Sequence, residues 1–279
     1  MRMSNIDTPV VTAARLGLRL VEQRFGRNAP LFASFFVTRQ CNVRCDGCAY
    51  YENLDPAISS RDPSTADCLT IIRRLAEGGV PVVNIVGGEP MLRSDLHEIL
   101  DFGSSLKLSM SVITNGIPGN EAALRSMDRS CTWVVFSPHV PAELAGHRQK
   151  EKYEKAWRGF RRIRQAVHGK RLVCNITVSR HTVPLMDELV QRSLDGGADS
   201  VKFQPNNEPD LFPAPESLAS ALSVIEKWRR RFPDRVVAPR GYMRLFDDFF
   251  GPEPLVACTA TRRIHLGVHP DGIVSACCP

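Results

Sequence analysis

The sequence predicts an α/β protein: six parallel strands, each followed by a helix, curl into a partial (β/α)6 barrel with a helix before it and a small hairpin after it. Three observations predict this. Short β-branched and aromatic runs alternate with longer stretches of helical period from about residue 35 to about residue 232. Helix-start and helix-stop residues fall between the two kinds of segment. Polar residues recur on one face of the later strands, whereas a flat parallel sheet covered on both sides reads almost uniformly apolar.

The elements follow in order. Residues 10–25 form an amphipathic helix with Val11, Leu16, Leu18 and Leu20 among its apolar members, expected to pack on the outside of the domain. Arg15, Arg19 and Arg24 interrupt it, so it contains no uncharged stretch of the kind a secretory signal needs. Strands are predicted at 35–39, 82–86, 108–114, 132–137, 173–179 and 200–204. Helices are predicted at 65–77, 94–103, 121–127, 152–167, 185–194 and 216–232. Ser64 stands three residues before Asp67, the spacing of a capping box. Gly78-Gly79 and Gly196-Gly197 supply the left-handed residue that ends a helix. A strand–helix unit repeated six times argues for right-handed crossovers in one parallel sheet.

Strand parity separates a barrel from a flat sheet. Asn175, Thr177 and Ser179 share one face, opposite Cys174, Ile176 and Val178. Lys202 and Gln204 oppose Val201 and Phe203, and Trp133, Val135 and Ser137 alternate with Val134 and Phe136. One wet face implies a lumen, and so a partial TIM-like barrel. Beyond residue 233, Pro233, Pro239, Pro252 and Pro254 break the helical period, and Pro270-Asp271-Gly272 marks a turn between two β-prone runs. The expected organisation is a helical segment 1–30, a barrel 31–235 and a hairpin-bearing extension 236–279.

Composition bounds the function. With 43% hydrophobic and 24% charged residues the chain is globular, which excludes disordered and low-complexity scaffolds. No stretch approaches the roughly 18 apolar residues of a membrane span. A charge of 36 − 30 = +6 suits an anionic ligand but is no concentrated nucleic-acid stripe. The arginine runs Arg161-Arg162-x-Arg164 and Arg229-Arg230-Arg231 read as solvated helix faces. Nine cysteines, an odd number, in a long chain without an export signal argue for a reducing compartment, and the cytoplasm is expected. Cys68, Cys131 and Cys174 fall in or beside elements and read as small buried apolar residues.

The chemistry lies in Cys41-Asn-Val-Arg-Cys45-Asp-Gly-Cys48, read as following directly on the first strand. Three thiolates on one short loop can wrap one metal centre. A structural zinc site closes on four ligands, usually two separated pairs. Three thiolates suit an iron–sulfur cluster with one iron left without a protein ligand, able to hold a chelating molecule and pass it an electron. A zinc knuckle borrowing a distant fourth ligand is the alternative.

C-x3-C-x2-C after the first strand of a six-fold β/α repeat resembles the signature of the radical S-adenosylmethionine (radical SAM) superfamily. The resemblance runs over about residues 31–210. It includes Gly87-Gly88-Glu89-Pro90 after the second strand, Thr114-Asn115-Gly116 ending the third and Gly196-Gly197-Ala198-Asp199 before the sixth. It departs at Gly47, where many relatives carry an aromatic residue, and at Ser137-Pro138-His139, where many carry Ser-x-Asp-Gly. The resemblance implies a [4Fe–4S] cluster on Cys41, Cys45 and Cys48, with SAM chelated at the open iron. One-electron cleavage of SAM then gives methionine and a 5′-deoxyadenosyl radical that takes hydrogen from a substrate. It assigns Gly87 and Gly88 to close approach of backbone carbonyls to the SAM ammonium, and Glu89 to steadying that turn or meeting the ammonium. Asn115, Ser137 and Asn175 are assigned to ribose and carboxylate contacts, and Gln204 to the adenine or ribose, at the strand ends where such barrels place their sites. The lumen is expected to be lined by Asn175, Ser179, Lys202 and Gln204.

The stretch from Cys258 through Pro270-Asp271-Gly272 to Cys277-Cys278 resembles the opening of a SPASM or twitch extension, which implies either an auxiliary iron–sulfur cluster on Cys258, Cys277 and Cys278 or a hairpin with reduced thiols that closes the barrel mouth. The implied partners are a peptide or small-metabolite substrate and an electron donor such as flavodoxin or ferredoxin, with no membrane and no nucleic acid. No residue is assigned to catalysis proper. The rival readings are a radical SAM enzyme acting on RNA, a non-catalytic iron–sulfur or zinc protein, and a classical barrel enzyme with a structural metal.

Overall fold

The computed structural model describes residues 7–25, 30–45, 48, 62–117, 120–138, 147–251 and 265–275. After helix α1 (Asp7–Arg24), strands and helices alternate: β1 (Phe32–Phe36), α2 (Thr65–Glu77), β2 (Val82–Val86), α3 (Leu96–Ser105), β3 (Ser109–Thr114) and α4 (Glu121–Ser130). Then come β4 (Cys131–Phe136), α5 (His147–Ala166), β5 (Arg171–Val178), α6 (Met186–Asp195), β6 (Ser200–Pro205) and α7 (Pro215–Arg231). The last described elements are β7 (Val236–Val237), α8 (Arg240–Phe249), β8 (His265–Val268) and β9 (Val274–Ser275). They build one sheet in the order β7-β6-β5-β4-β3-β2-β1-β8-β9. Every pairing is parallel except the β8–β9 hairpin. The sheet is open, with β7 and β9 as its edges, so the barrel is partial.

The period-2 pattern divides the sheet into two faces. Ala33, Phe35, Val83, Ile85, Met110, Val112, Val134, Phe136, Cys174, Ile176, Val201 and Phe203 point to the helices and are 0–3% exposed. Ile72, Leu96, Ile99, Trp157, Phe160 and Leu189 pack against them in one continuous core. Phe136 stacks on Phe160 with centroids 4.5 Å apart and meets the edge of Trp157 at 5.1 Å. The opposite face is the polar one the parity predicts. On it, Ser111 Oγ donates to Asn84 Oδ1 at 2.6 Å and Asn175 Nδ2 to Gln204 Oε1 at 2.7 Å. Such cross-strand pairs satisfy groups that a dry sheet face would leave unpaired.

Local signals place several boundaries where the sequence predicts them. Ser64 and Asp67 form the reciprocal capping box of α2. Gly79 (φ 73°) and Gly197 (φ 89°) take the left-handed conformation after α2 and α6. Cys68, Cys131 and Cys174 are buried, and burial pushes their thiols up to about 11, 12 and 12. Arg161, Arg162, Arg230 and Arg231 are exposed, and Glu226 pairs with Arg229 at 2.6 Å and with Arg230 at 2.8 Å.

Four expectations need correction. The first strand occupies Phe32–Phe36, not 35–39, so Val37–Gln40 separate it from the first cysteine. Val37 N–H extends the pairing by one bond, to Val86 O at 2.9 Å. Ser179 does not line the lumen; it lies past the end of β5, is buried, and its N–H donates to Thr182 Oγ1 at 2.8 Å. Leu18 and Leu20 on α1 are exposed, and the helix is anchored by arginines instead. Arg19 donates to the carbonyls of Gly78 and Gly79, each at 2.8 Å, and Arg15 to that of Lys107 at 2.8 Å. Finally, the C-terminal hairpin continues the barrel's own sheet, with β8 parallel to β1. No described helix is long and apolar enough to cross a membrane.

Candidate metal centre

The cysteine loop leaves β1 alongside the chain leaving β2, and the two exchange backbone bonds. Gly88 N–H donates to Thr38 O at 2.8 Å and Glu89 N–H to Gln40 O at 2.7 Å. Approach this close explains both glycines. A Cβ on Gly88 would stand 2.1 Å from Gln40 O, and one on Gly87, whose φ is +141°, would stand 2.5 Å from Thr38 O. The face of each glycine that lacks a side chain is therefore turned to the cysteine loop.

Glu89 locks this turn to β3. It is 1% exposed. Oε1 accepts from Met91 N–H at 3.0 Å and Thr114 Oγ1 at 2.7 Å, and Oε2 from Asn115 N–H at 2.7 Å. Burial pushes its carboxyl up to about 7, while the three donors pull the other way. Of the two roles expected for Glu89, these bonds supply the steadying one. Asn115 in turn reaches the cysteine loop. Its Nδ2 donates to Asn42 Oδ1 at 2.8 Å and lies 3.9 Å from Cys41 Sγ, and its Oδ1 accepts from Ile117 N–H at 2.9 Å.

Cys41, Cys45 and Cys48 are all half-buried, and none forms a disulfide. Cys48 N–H donates to Cys45 O at 3.3 Å. Burial raises the Cys41 thiol above its ordinary range. Among the described residues, no three His, Cys, Asp or Glu side chains stand close enough together to hold one metal ion. Three soft sulfur donors from one loop, braced by an amide that approaches the first of them, form a donor set that fits a multi-iron cluster.

The remaining predicted residues spread along the same ends of the strands. Ser137 follows β4, half-buried, its N–H donating to Thr114 O at 2.9 Å beside Asn115. Asn175 and Gln204 stand on the lumen face of β5 and β6, two and three strands from β3, bonded to each other. Lys202 is exposed on that face, one residue-pair below Gln204. Gly47, His139, Cys258, Cys277 and Cys278 lie outside the described residues, and with them the auxiliary-cluster expectation.

Three bracing residues were not found by sequence reasoning. Asp62 accepts from Thr38 Oγ1 at 2.5 Å and Arg39 N–H at 2.8 Å. Arg93 donates to Val37 O at 2.8 Å, to Pro63 O at 2.9 Å, and in a fork to Asp95 at 2.8 and 2.6 Å. Arg39 reaches Asp271 at 2.7 Å. Apart from the Arg93–Asp95 fork, which is local, their partners are distant in sequence or are bare carbonyls, so no local pattern marks the bracing.

An open parallel sheet with a three-thiol loop after its first strand, clamped by a glycine turn after its second, defines a cluster-binding β/α barrel. The chain belongs to the radical SAM superfamily, whose family model matches residues 35–190. Among curated proteins it is similar to the PqqA peptide cyclase of Xanthomonas campestris pv. campestris (strain B100). The two are 26% identical over 266 residues, 89% of this chain and 67% of the relative. Among solved structures it is similar to Streptococcus suis SuiB bound to S-adenosylmethionine, with a TM-score of 0.69, 16% identity and 90% of this chain covered. It also resembles native anSMEcpe with bound AdoMet, with a TM-score of 0.62, 16% identity, and coverage of 89% of this chain and 74% of that one. This chain spans 60% of the length of SuiB. The family implies SAM and a [4Fe–4S] cluster.

Proposed function

We propose that this protein is a radical SAM enzyme that modifies a peptide. The observation carrying the first half is the clamp of the Gly87-Gly88-Glu89 turn on the Cys41 loop, with Asn115 Nδ2 3.9 Å from Cys41 Sγ. A closed structural metal site has no need of a second strand end and a buried carboxylate to orient three thiols. A [4Fe–4S] cluster held by Cys41, Cys45 and Cys48 would supply the electron for reductive cleavage of SAM. The chain's own residues hold three thiols on one side, fix Asn115 beside them, and present the polar lumen residues Asn175, Lys202 and Gln204 to the rest of the nucleotide and to the substrate. Glu89 acts as a strut behind the site.

The peptide half rests on the relatives. The curated match is a peptide cyclase, and SuiB has been solved with its precursor peptide SuiA in a structure with a TM-score of 0.69 to this chain. An open sheet with a half-exposed polar face leaves room for an extended chain. The reductant is an external one-electron donor such as flavodoxin or ferredoxin, the barrel occupies residues 31–235, and the site works in the cytoplasm.

Anaerobic reconstitution, reduction and addition of SAM test this. The expected product is 5′-deoxyadenosine, absent in Cys45→Ala. A cluster verified as intact that yields none, or unchanged product from Cys45→Ala, overturns the reading. Hydrogen loss or a new cross-link in an added peptide, read by mass spectrometry, tests the substrate class.

A further inference from the structure

The C-terminal hairpin is fastened to the segment that carries the cysteines. Arg39, two residues before Cys41 and so within about 7 Å of it along the chain, has a side chain only 7% exposed. Its guanidinium donates to Asp271 Oδ2 at 2.7 Å across 232 residues of sequence. Asp271 sits in the turn of the β8–β9 hairpin. Its other oxygen accepts from Ile273 N–H at 3.1 Å, while Gly272, at φ 82°, donates to His269 O at 2.9 Å. One carboxylate therefore both shapes the turn and pairs with the loop. A second contact joins the same two segments. Phe36, the last residue of β1, stacks on His269 with centroids 5.1 Å apart and planes 3° from parallel, and His269 Nε2 lies 3.0 Å from Ser275 Oγ.

The backbone of Arg39 is held as closely as its side chain. Its N–H donates to Asp62, and its carbonyl would lie 2.9 Å from a Cβ on Gly88. The next residue, Gln40, accepts Glu89 N–H at 2.7 Å. A shift of Arg39 therefore moves the glycine clamp on one side and Cys41 on the other.

We propose that Arg39 and Asp271 are positioning residues: their ion pair lets the C-terminal hairpin set the register of the cysteine loop against the Gly87-Gly88 turn, and so the placement of SAM. This deepens the radical SAM reading and rests on it. It also gives the hairpin a role in the barrel's own site, whether or not the cysteines of the extension hold a metal.

The test compares the parent with Asp271→Asn, Arg39→Gln and the double variant. Asparagine keeps the acceptor for Ile273 and removes the charge. The first readout needs no cofactor: hydrogen exchange of the amides of residues 37–45 in the protein before reconstitution. Loss of one charge-assisted bond predicts about tenfold faster exchange in each single variant. The double variant should be no worse than Arg39→Gln alone, because Asp271→Asn removes nothing more once the guanidinium is gone. The second is spectroscopic. After reconstitution, the SAM-induced change in the reduced cluster's EPR spectrum should weaken and KM for SAM should rise more than kcat falls, with partial recovery in Arg39→Lys. Parent-like exchange and EPR response in Asp271→Asn overturn the proposal, as do additive effects in the double variant. A variant that fails to fold is replaced by Arg39→Lys with the same readouts. If the parent itself cleaves no SAM, the functional reading fails, while the exchange comparison still decides the ion pair.

Discussion

Glu89 is held almost out of water with both carboxylate oxygens committed to donors on the turn and on β3. Its folded value of about 7 lies above the ordinary 4.5 because of burial. Between those values the folded chain keeps a proton that the unfolded chain has released. Stability therefore falls as pH rises from about 4.5 to about 7. In Glu89→Gln that part of the slope should vanish in denaturant melts taken across this range. The same variant turns an amide N–H2 toward Asn115 N–H and should cost about 1–3 kcal/mol at pH 7 for the unsatisfied donor. Gly88→Ala acts through the backbone. With Gln40 O only 2.1 Å from the new Cβ, the cysteine loop must move. Destabilisation of about 2 kcal/mol or more in a melt is expected, with lower iron uptake on reconstitution. At this scale the sequence singled out the turn after β2 and Asn115, and the structure brings both against the segment carrying Cys41. The sequence could not show that the glycines face the cysteine loop, because that depends on a neighbour some 50 positions away in the chain.

Among the elements, Arg93 binds three starting points together: the exit of β1 through Val37 O, the approach to α2 through Pro63 O, and the approach to α3 through Asp95. Its side chain and that of Asp95 are 10% and 16% exposed. Arg93→Ala removes the guanidinium from Asp95, which keeps the Thr65 hydroxyl, and from two carbonyls, and should cost about 3 kcal/mol, read as a shift of the denaturant midpoint. Arg93→Lys should recover only part of this, since an ammonium cannot form the fork. Burial raises the Asp95 carboxyl, but its bonds from Arg93 and Thr65 outweigh that and hold it below the usual range. Its share of stability is thus lost as pH falls through that lowered value. The elements themselves were largely legible. Period, capping box and paired glycines placed α2 and β2 on their observed bounds. The first strand was misplaced because Val37-Thr38-Arg39 is as β-prone as what precedes it. Thr38 and Gln40 instead spend their carbonyls on the glycine turn, a tertiary choice that propensity does not record. The packing of the first helix was hidden for a related reason: two of the arginines that interrupt its apolar positions, Arg15 and Arg19, bond to distant carbonyls at Lys107, Gly78 and Gly79.

Over the whole molecule, one sheet carries both the barrel and the C-terminal hairpin, so the strand beside β1 comes from the far end of the sequence. Alternation within strands foretold a polar lumen, and helix–strand repetition foretold parallel order. Neither foretold that β8 would join the sheet next to β1, since long-range pairing leaves no local trace. The placement puts the hairpin turn against the segment leading into Cys41, at the same end of the strands as the glycine clamp and Asn115. The central claim is that these three thiols hold a cluster with one iron open to SAM. The most direct measurement is the EPR spectrum of the anaerobically reconstituted, reduced protein before and after SAM is added, with iron counted on the same sample. The expected result is about four irons per chain on the barrel site and a spectrum that changes when SAM binds. A spectrum indifferent to SAM with the cluster intact, or a single fully ligated zinc in place of iron, would contradict it.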